Sequence, residues 1–123
     1  MTVEALFLYG TLLHPPVYRA VAGADLVGEA TELAEHAVLT AVAPDGRSLA
    51  FPLFAPAAGQ VARGLLVRPD AAARERLDFY ERVFGYDPAP VQVMTAAGPQ
   101  QAMIYQPRQS LWQGGAPWSL ADW

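Results

Sequence analysis

The most regular alternation of apolar and polar positions lies past mid-chain. Between Asp70 and Phe84, the apolar positions Ala73, Leu77, Tyr80 and Phe84 recur at steps of three and four. That is the buried stripe of a 3.6-residue period, so the spacing predicts one amphipathic helix. Pro69 and Asp70 supply its start signal and Gly85 its stop. Near the N-terminus, Ala5 to Tyr9 is a short apolar and aromatic run with no polar face. It predicts a strand buried on both sides, hence central in a sheet. Gly10 stops it, and Pro15 and Pro16 then suit the first turn of a short helix that Gly23 ends. Further strands are predicted over 27–33, 37–42, 48–54, 61–67, 91–95 and 101–105. Pro44-Asp45-Gly46 and Ala97-Gly98-Pro99 supply turns, the second closing a hairpin. No internal repeat or low-complexity tract interrupts this order. It predicts an α+β fold: a mainly antiparallel sheet curled into a small barrel, with two main helices against it.

One residue breaks the pattern. Glu81 lies four positions after Leu77 and three before Phe84, on the apolar side of the predicted helix. Asp78, by contrast, has Arg74 and Arg82 four residues away on either side, the spacing of helical ion pairs. Glu81 has only Leu77 and Gly85 at those spacings. A carboxylate facing the protein without a local cation has its ionised form disfavoured and its pKa raised, the state an acid/base catalyst near neutral pH requires. The alternative is that Glu81 sits at the edge of the stripe and reaches water, or caps a neighbouring backbone. A second candidate is the tight loop Gly10-Thr11-Leu12-Leu13. Its successive N–H groups suit a carboxylate or phosphate, although a single glycine is far from a phosphate-loop signature.

Composition narrows the chemistry. A chain of 123 residues that is 53% apolar is one domain with a core of its own, not a disordered segment. Twelve acids against eight bases give a formal charge of −4, which argues against a nucleic-acid partner. All the bases are arginine, so Schiff-base chemistry and a lysine phosphate anchor are excluded. The absence of cysteine removes thiol nucleophiles, disulfides and thiolate metal sites. No serine among Ser48, Ser110 and Ser119 lies in a nucleophile elbow, and His14 and His36 are too isolated to suggest a metal centre. No segment approaches a membrane span and no leader precedes the first strand, so a soluble, cytoplasmic protein without a membrane partner is expected.

Two motifs taken together resemble the gamma-glutamyl cyclotransferase-like family: Phe7-Leu8-Tyr9-Gly10-Thr11-Leu12, and Leu77-Asp78-Phe79-Tyr80-Glu81. Phe51-Pro52, the strand Ala62-Arg63-Gly64-Leu65-Leu66-Val67, Gly85-Tyr86 and Ala102-Met103-Ile104-Tyr105 agree, so the resemblance spans roughly residues 5–107. It implies a mixed-sheet β-barrel that cyclises a gamma-glutamyl amine or peptide to 5-oxoproline, with no metal or other cofactor. Glu81 would be the general acid/base. Backbone groups of Tyr9, Gly10, Thr11 and Leu12 would hold the glutamyl moiety, and Tyr86 and Tyr105 would wall the pocket. The chain departs from the family where Tyr86-Asp87-Pro88 replaces a common Tyr-x-Arg, which puts substrate choice in doubt. A binding or interaction module on the same fold, taking a small carboxylate without turnover, is the rival reading.

Residues 1–109 thus read as the domain and 110–123 as a tail. The tail holds all three tryptophans, Trp112, Trp118 and Trp123, and a Gly114-Gly115 joint. Either Trp112 and Trp118 lie over the sheet and extend its core, or the tail docks onto a second copy or a partner domain.

Overall fold

A computed structural model describes residues 5–42, 45–107 and 113–118. Its elements run β1 (Leu6–Leu8), a 3₁₀ turn (Thr11–Leu13), α1 (Pro15–Ala22), β2 (Gly28–Val42), β3 (Ser48–Val67), α2 (Ala71–Val83), β4 (Tyr86–Thr95), β5 (Gly98–Pro107) and β6 (Gln113–Pro117). The strands form one mixed sheet in the order β3-β1-β5-β4-β2-β6. Most pairings are antiparallel; β1 and β5 run parallel, with Leu6 opposite Met103. Strand β2 also pairs with β3 along most of its length, so the order returns to its first member. The seam between β2 and β4 is a single register pair, Glu32 with Met94.

The centre of the sheet follows from the first strand. Alternate side chains of β1 enter two separate cores, as a period of two requires. Leu6 and Leu8 pack towards the helices with Leu12, Tyr18, Val67 and Leu77. Ala5, Phe7 and Tyr9 pack on the other face with Leu33, Leu66, Val93 and Ile104. Gly64 in β3 lets this strand pass: a Cβ there would lie 2.0 Å from the Leu8 carbonyl oxygen.

Helix α2 starts as its sequence predicts. The Asp70 carboxylate accepts the Ala73 N–H at 2.8 Å, a cap worth about 1 kcal/mol. Ala73 and Leu77 are buried. Phe84, expected in the stripe, is instead 37% exposed, because the helix has ended by then and Gly85 turns the chain at φ +84°. The turn delivers Tyr86 directly into β4.

Two expectations about strands need correction. The runs 27–33 and 37–42 are one strand, and so are 48–54 and 61–67. The turn chemistry between them builds a bulge rather than a chain reversal. Ala34 faces Val61 and His36 faces Pro56, so residues 57–60 loop out opposite Glu35. Glu35 takes a left-handed φ of 60°, and its carboxylate accepts the Gly59 N–H at 2.8 Å. Such insertions bend a strand without ending it.

Part of the tail joins the sheet. Strand β6 pairs with β2, and the Trp118 N–H donates to the Val38 carbonyl at 3.1 Å. Trp118 is half-buried; Trp112 and Trp123 lie outside the described residues, as does Pro44 of the first expected turn. Among the described residues, no helix is long and apolar enough to cross a membrane.

Candidate functional site

The chain turns sharply where β1 ends. The Leu13 N–H bonds the Gly10 carbonyl at 3.0 Å and the His14 N–H bonds the Thr11 carbonyl at 3.1 Å. The N–H groups of Gly10, Thr11 and Leu12 come before these and stay outside the turn's own hydrogen bonding, as the first donors of a helical turn do. Position 10 has no room for a side chain, since a Cβ would lie 2.5 Å from Pro52 Cγ in β3. The glycine is therefore required by the close approach of the rigid Pro52 ring to the loop.

That loop forms one wall of a cavity of about 220 Å³, small even for a small-molecule site. Tyr9, Gly10, Thr11 and Leu12 line one side and Pro52 another. Helix α2 contributes Tyr80, Glu81 and Phe84, while β4 and β5 contribute Tyr86 and Tyr105. All the residues singled out from sequence thus meet at one place: Glu81, Tyr9, Gly10, Thr11, Leu12, Tyr86 and Tyr105. Sequence reasoning missed Pro52, Tyr80 and Phe84 as cavity walls. The motif Phe51-Pro52 was the signal for the first, whereas Tyr80 and Phe84 look like ordinary core positions of their helix.

Glu81 is half-buried and opens onto the cavity. Burial pushes its carboxyl from 4.5 up to about 7, and among the described residues no cation or hydrogen bond counteracts it. Burial raises the four surrounding phenols, Tyr9, Tyr80, Tyr86 and Tyr105, and the negative charge of Glu81 adds to each. On Tyr80 a hydrogen bond with Thr11 works the other way, tying α2 to the loop.

The three buried tyrosines are fixed by hydrogen bonds of their own. The Tyr9 hydroxyl donates to the Tyr105 carbonyl at 2.7 Å, and that of Tyr86 to the Pro52 carbonyl at 2.5 Å. The Tyr105 hydroxyl donates to Asp78 Oδ1 at 2.6 Å, and the same oxygen accepts Arg74 Nε at 2.9 Å. Of the two arginines spaced to pair with Asp78, Arg74 does so and Arg82 is exposed. Away from the cavity, His36 leans on Phe54 and its Nδ1 lies 2.9 Å from the Ala34 carbonyl. Among the described residues, no cluster of metal-ligating side chains forms.

The chain is thus a small α+β domain whose cavity sets a desolvated carboxylate among aromatic side chains. The particular family follows from sequence. The profile of the family described as "Gamma-glutamyl cyclotransferase, AIG2-like" matches residues 6–123, and the chain belongs to that family. The fold is shared with solved structures. One named gamma-glutamyl cyclotransferase superposes with a TM-score of 0.75 at 16% identity, covering 93% of this chain and 70% of the other. A protein from Arabidopsis thaliana gives 0.74 at 14% identity, covering 100% and 81%. An AIG2-like protein from Mus musculus gives 0.55 at 16%, covering 97% and 90%. At such identities the likeness is one of fold. No curated protein matches the sequence.

Proposed function

We propose that this protein is a gamma-glutamyl cyclotransferase-type enzyme, releasing an amine from a gamma-glutamyl amine or peptide as 5-oxoproline forms. One observation carries the reading: among the described residues Glu81 has no cation or hydrogen-bond partner in the cavity that the Tyr9–Leu12 loop walls, and burial pushes its carboxyl up to about 7. In the reaction, the α-amine of the glutamyl group attacks its own γ-carbonyl carbon. A new C–N bond closes the five-membered ring, and the bond from that carbon to the leaving nitrogen breaks. Glu81 takes the proton from the attacking amine and returns it to the departing one. A carboxyl group titrating near neutral pH does both with little energetic cost.

The reaction is intramolecular, so holding the substrate folded supplies much of its acceleration. The backbone N–H groups of Gly10, Thr11 and Leu12 suit the glutamyl α-carboxylate, and the carbonyls of the same loop suit its amine. Tyr86 and Tyr105 serve as walls, since their hydroxyl protons are committed to Pro52 and Asp78. No step calls for a metal or redox cofactor.

One feature favours binding without turnover: Pro88 stands in β4, opposite Tyr105, where relatives commonly carry arginine. A single experiment separates the readings. The protein is incubated with gamma-glutamyl amines, gamma-glutamyl dipeptides and glutathione, and 5-oxoproline is read by mass spectrometry beside Glu81→Gln. Product from the wild type alone supports the enzyme. Ligand-induced thermal shifts in both proteins with no product from either favour the binding module.

A further inference from the structure

A buried carboxylate is normally relieved by any hydroxyl within reach, and Glu81 is surrounded by tyrosines. The titratable groups facing it are Tyr9 from the end of β1, Tyr80 on its own helix, Tyr86 on β4 and Tyr105 on β5; Pro52 of β3 and Thr11 of the loop do not titrate, and the Thr11 hydroxyl is engaged with Tyr80. A phenol has one proton to donate. Tyr9 gives its proton to the Tyr105 carbonyl and Tyr86 gives its own to the Pro52 carbonyl, both backbone acceptors fixed by the sheet. Tyr105 is different, because its proton goes to a side chain, Asp78 Oδ1. Asp78 sits three residues before Glu81 on α2, so the two acids are neighbours on one helix face. Tyr105 lines the cavity beside Glu81, while its hydroxyl proton is held by Asp78.

We propose that Asp78 is a positioning residue: by accepting the Tyr105 hydroxyl, and being itself anchored by Arg74, it withholds that donor and leaves Glu81 without a partner among the described residues. The raised carboxyl of Glu81 is then a property of an arrangement and not of depth alone. Arg74 holds the Asp78 carboxylate in place, and both side chains are largely shielded, at 17% and 22% exposure. The role assigned to Asp78 rests on the reading of Glu81 as the acid/base. Its structural content is testable without turnover.

The test is a direct titration of the Glu81 side-chain carboxyl by ¹³C NMR in the wild type, Asp78→Ala, Asp78→Asn, Tyr105→Phe and the Asp78→Ala/Tyr105→Phe double variant. In Asp78→Ala the freed hydroxyl turns to Glu81, and its pKa falls by about one to two units, the effect of one hydrogen bond to a charged acceptor. Asp78→Asn keeps an acceptor and stays near the wild-type value. Tyr105→Phe also stays, because it removes a donor that Glu81 never had. The double variant returns towards the wild-type value. A fall that persists in the double variant assigns the effect to the charge of Arg74 and overturns the proposal. So does an unchanged Glu81 in Asp78→Ala. If Asp78→Ala fails to fold, a fall of a unit or more in Tyr105→Phe alone, or in Asp78→Asn, overturns it equally. Because the readout is the carboxyl itself, absence of 5-oxoproline formation would count against the enzyme reading and leave this result standing.

Discussion

Replacing Glu81 by glutamine is expected to stabilise the protein while abolishing turnover, with a characteristic dependence on pH. The Glu81 carboxyl titrates at about 7 in the fold against 4.5 when free. Below about pH 4.5 it is protonated in folded and unfolded chains alike and imposes no penalty. As pH rises through this window the unfolded chain ionises first, so stability is lost progressively until the folded group also ionises near pH 7. At 1.36 kcal/mol per unit, the whole penalty is about 3 kcal/mol. Glutamine has no such ionisation. The difference in unfolding free energy between Glu81→Gln and wild type should therefore be flat below about pH 4.5. It should climb in favour of the variant between about pH 4.5 and 7 and level off above. In a domain of this size that corresponds to roughly 10 °C in Tm at pH 8 relative to the difference at pH 4. Urea unfolding of both proteins across this range supplies the curve. Other carboxylates titrate equally in both and cancel. A difference that stays constant from pH 4 to pH 8, or one in which the wild type gains with pH, would refute the desolvation of Glu81.

Other substitutions probe the scaffold around it. Leu77→Ala removes a fully buried side chain beneath the same helix and should cost about 2–5 kcal/mol in denaturant unfolding. Asp70→Ala deletes the cap of α2 and should cost about 1 kcal/mol, with 5-oxoproline formation largely preserved. Gly10→Ala drives a Cβ against Pro52, so it should displace β3 from the loop and reduce turnover more than stability, measured by kcat/KM beside Tm. Gly64→Ala meets the Leu8 carbonyl, which no side-chain motion relieves, and is expected to yield little folded protein by circular dichroism.

The parts of this fold legible in the sequence are those whose signal is local. The stripe of Ala73 and Leu77, the Asp70 cap and the Gly23 and Gly85 stops each act within a few residues, and the structure has them in place. The two-sided burial of β1 was equally readable, because no polar residue interrupts it. The long hairpin was not. Pro56 and Gly59 carry turn chemistry, and only their pairing with β2 across Glu35 turns a break into a bulge. The site shows the same division. Glu81 was conspicuous as an acid with no helical partner, but its distance from the Tyr9 loop along the chain hides their meeting. That meeting depends on α2 packing beside β1. Of the partners of Asp78, Arg74 was legible at its helical spacing, whereas Tyr105 comes from a strand far along the chain and was not. Pro52 was visible as a motif, while its role in forcing Gly10 was not.

As the proposed base, Glu81 must be ionised to accept the amine proton. The most direct measurement is kcat/KM for 5-oxoproline formation against pH, with whichever gamma-glutamyl compound proves best in the panel. With Glu81 as the base that accepts the amine proton, the rate should rise with pH through a limb near 7 and plateau above it, and Glu81→Gln should show neither limb nor plateau. Turnover that is already at its plateau by pH 5, or that survives in Glu81→Gln, would contradict the account.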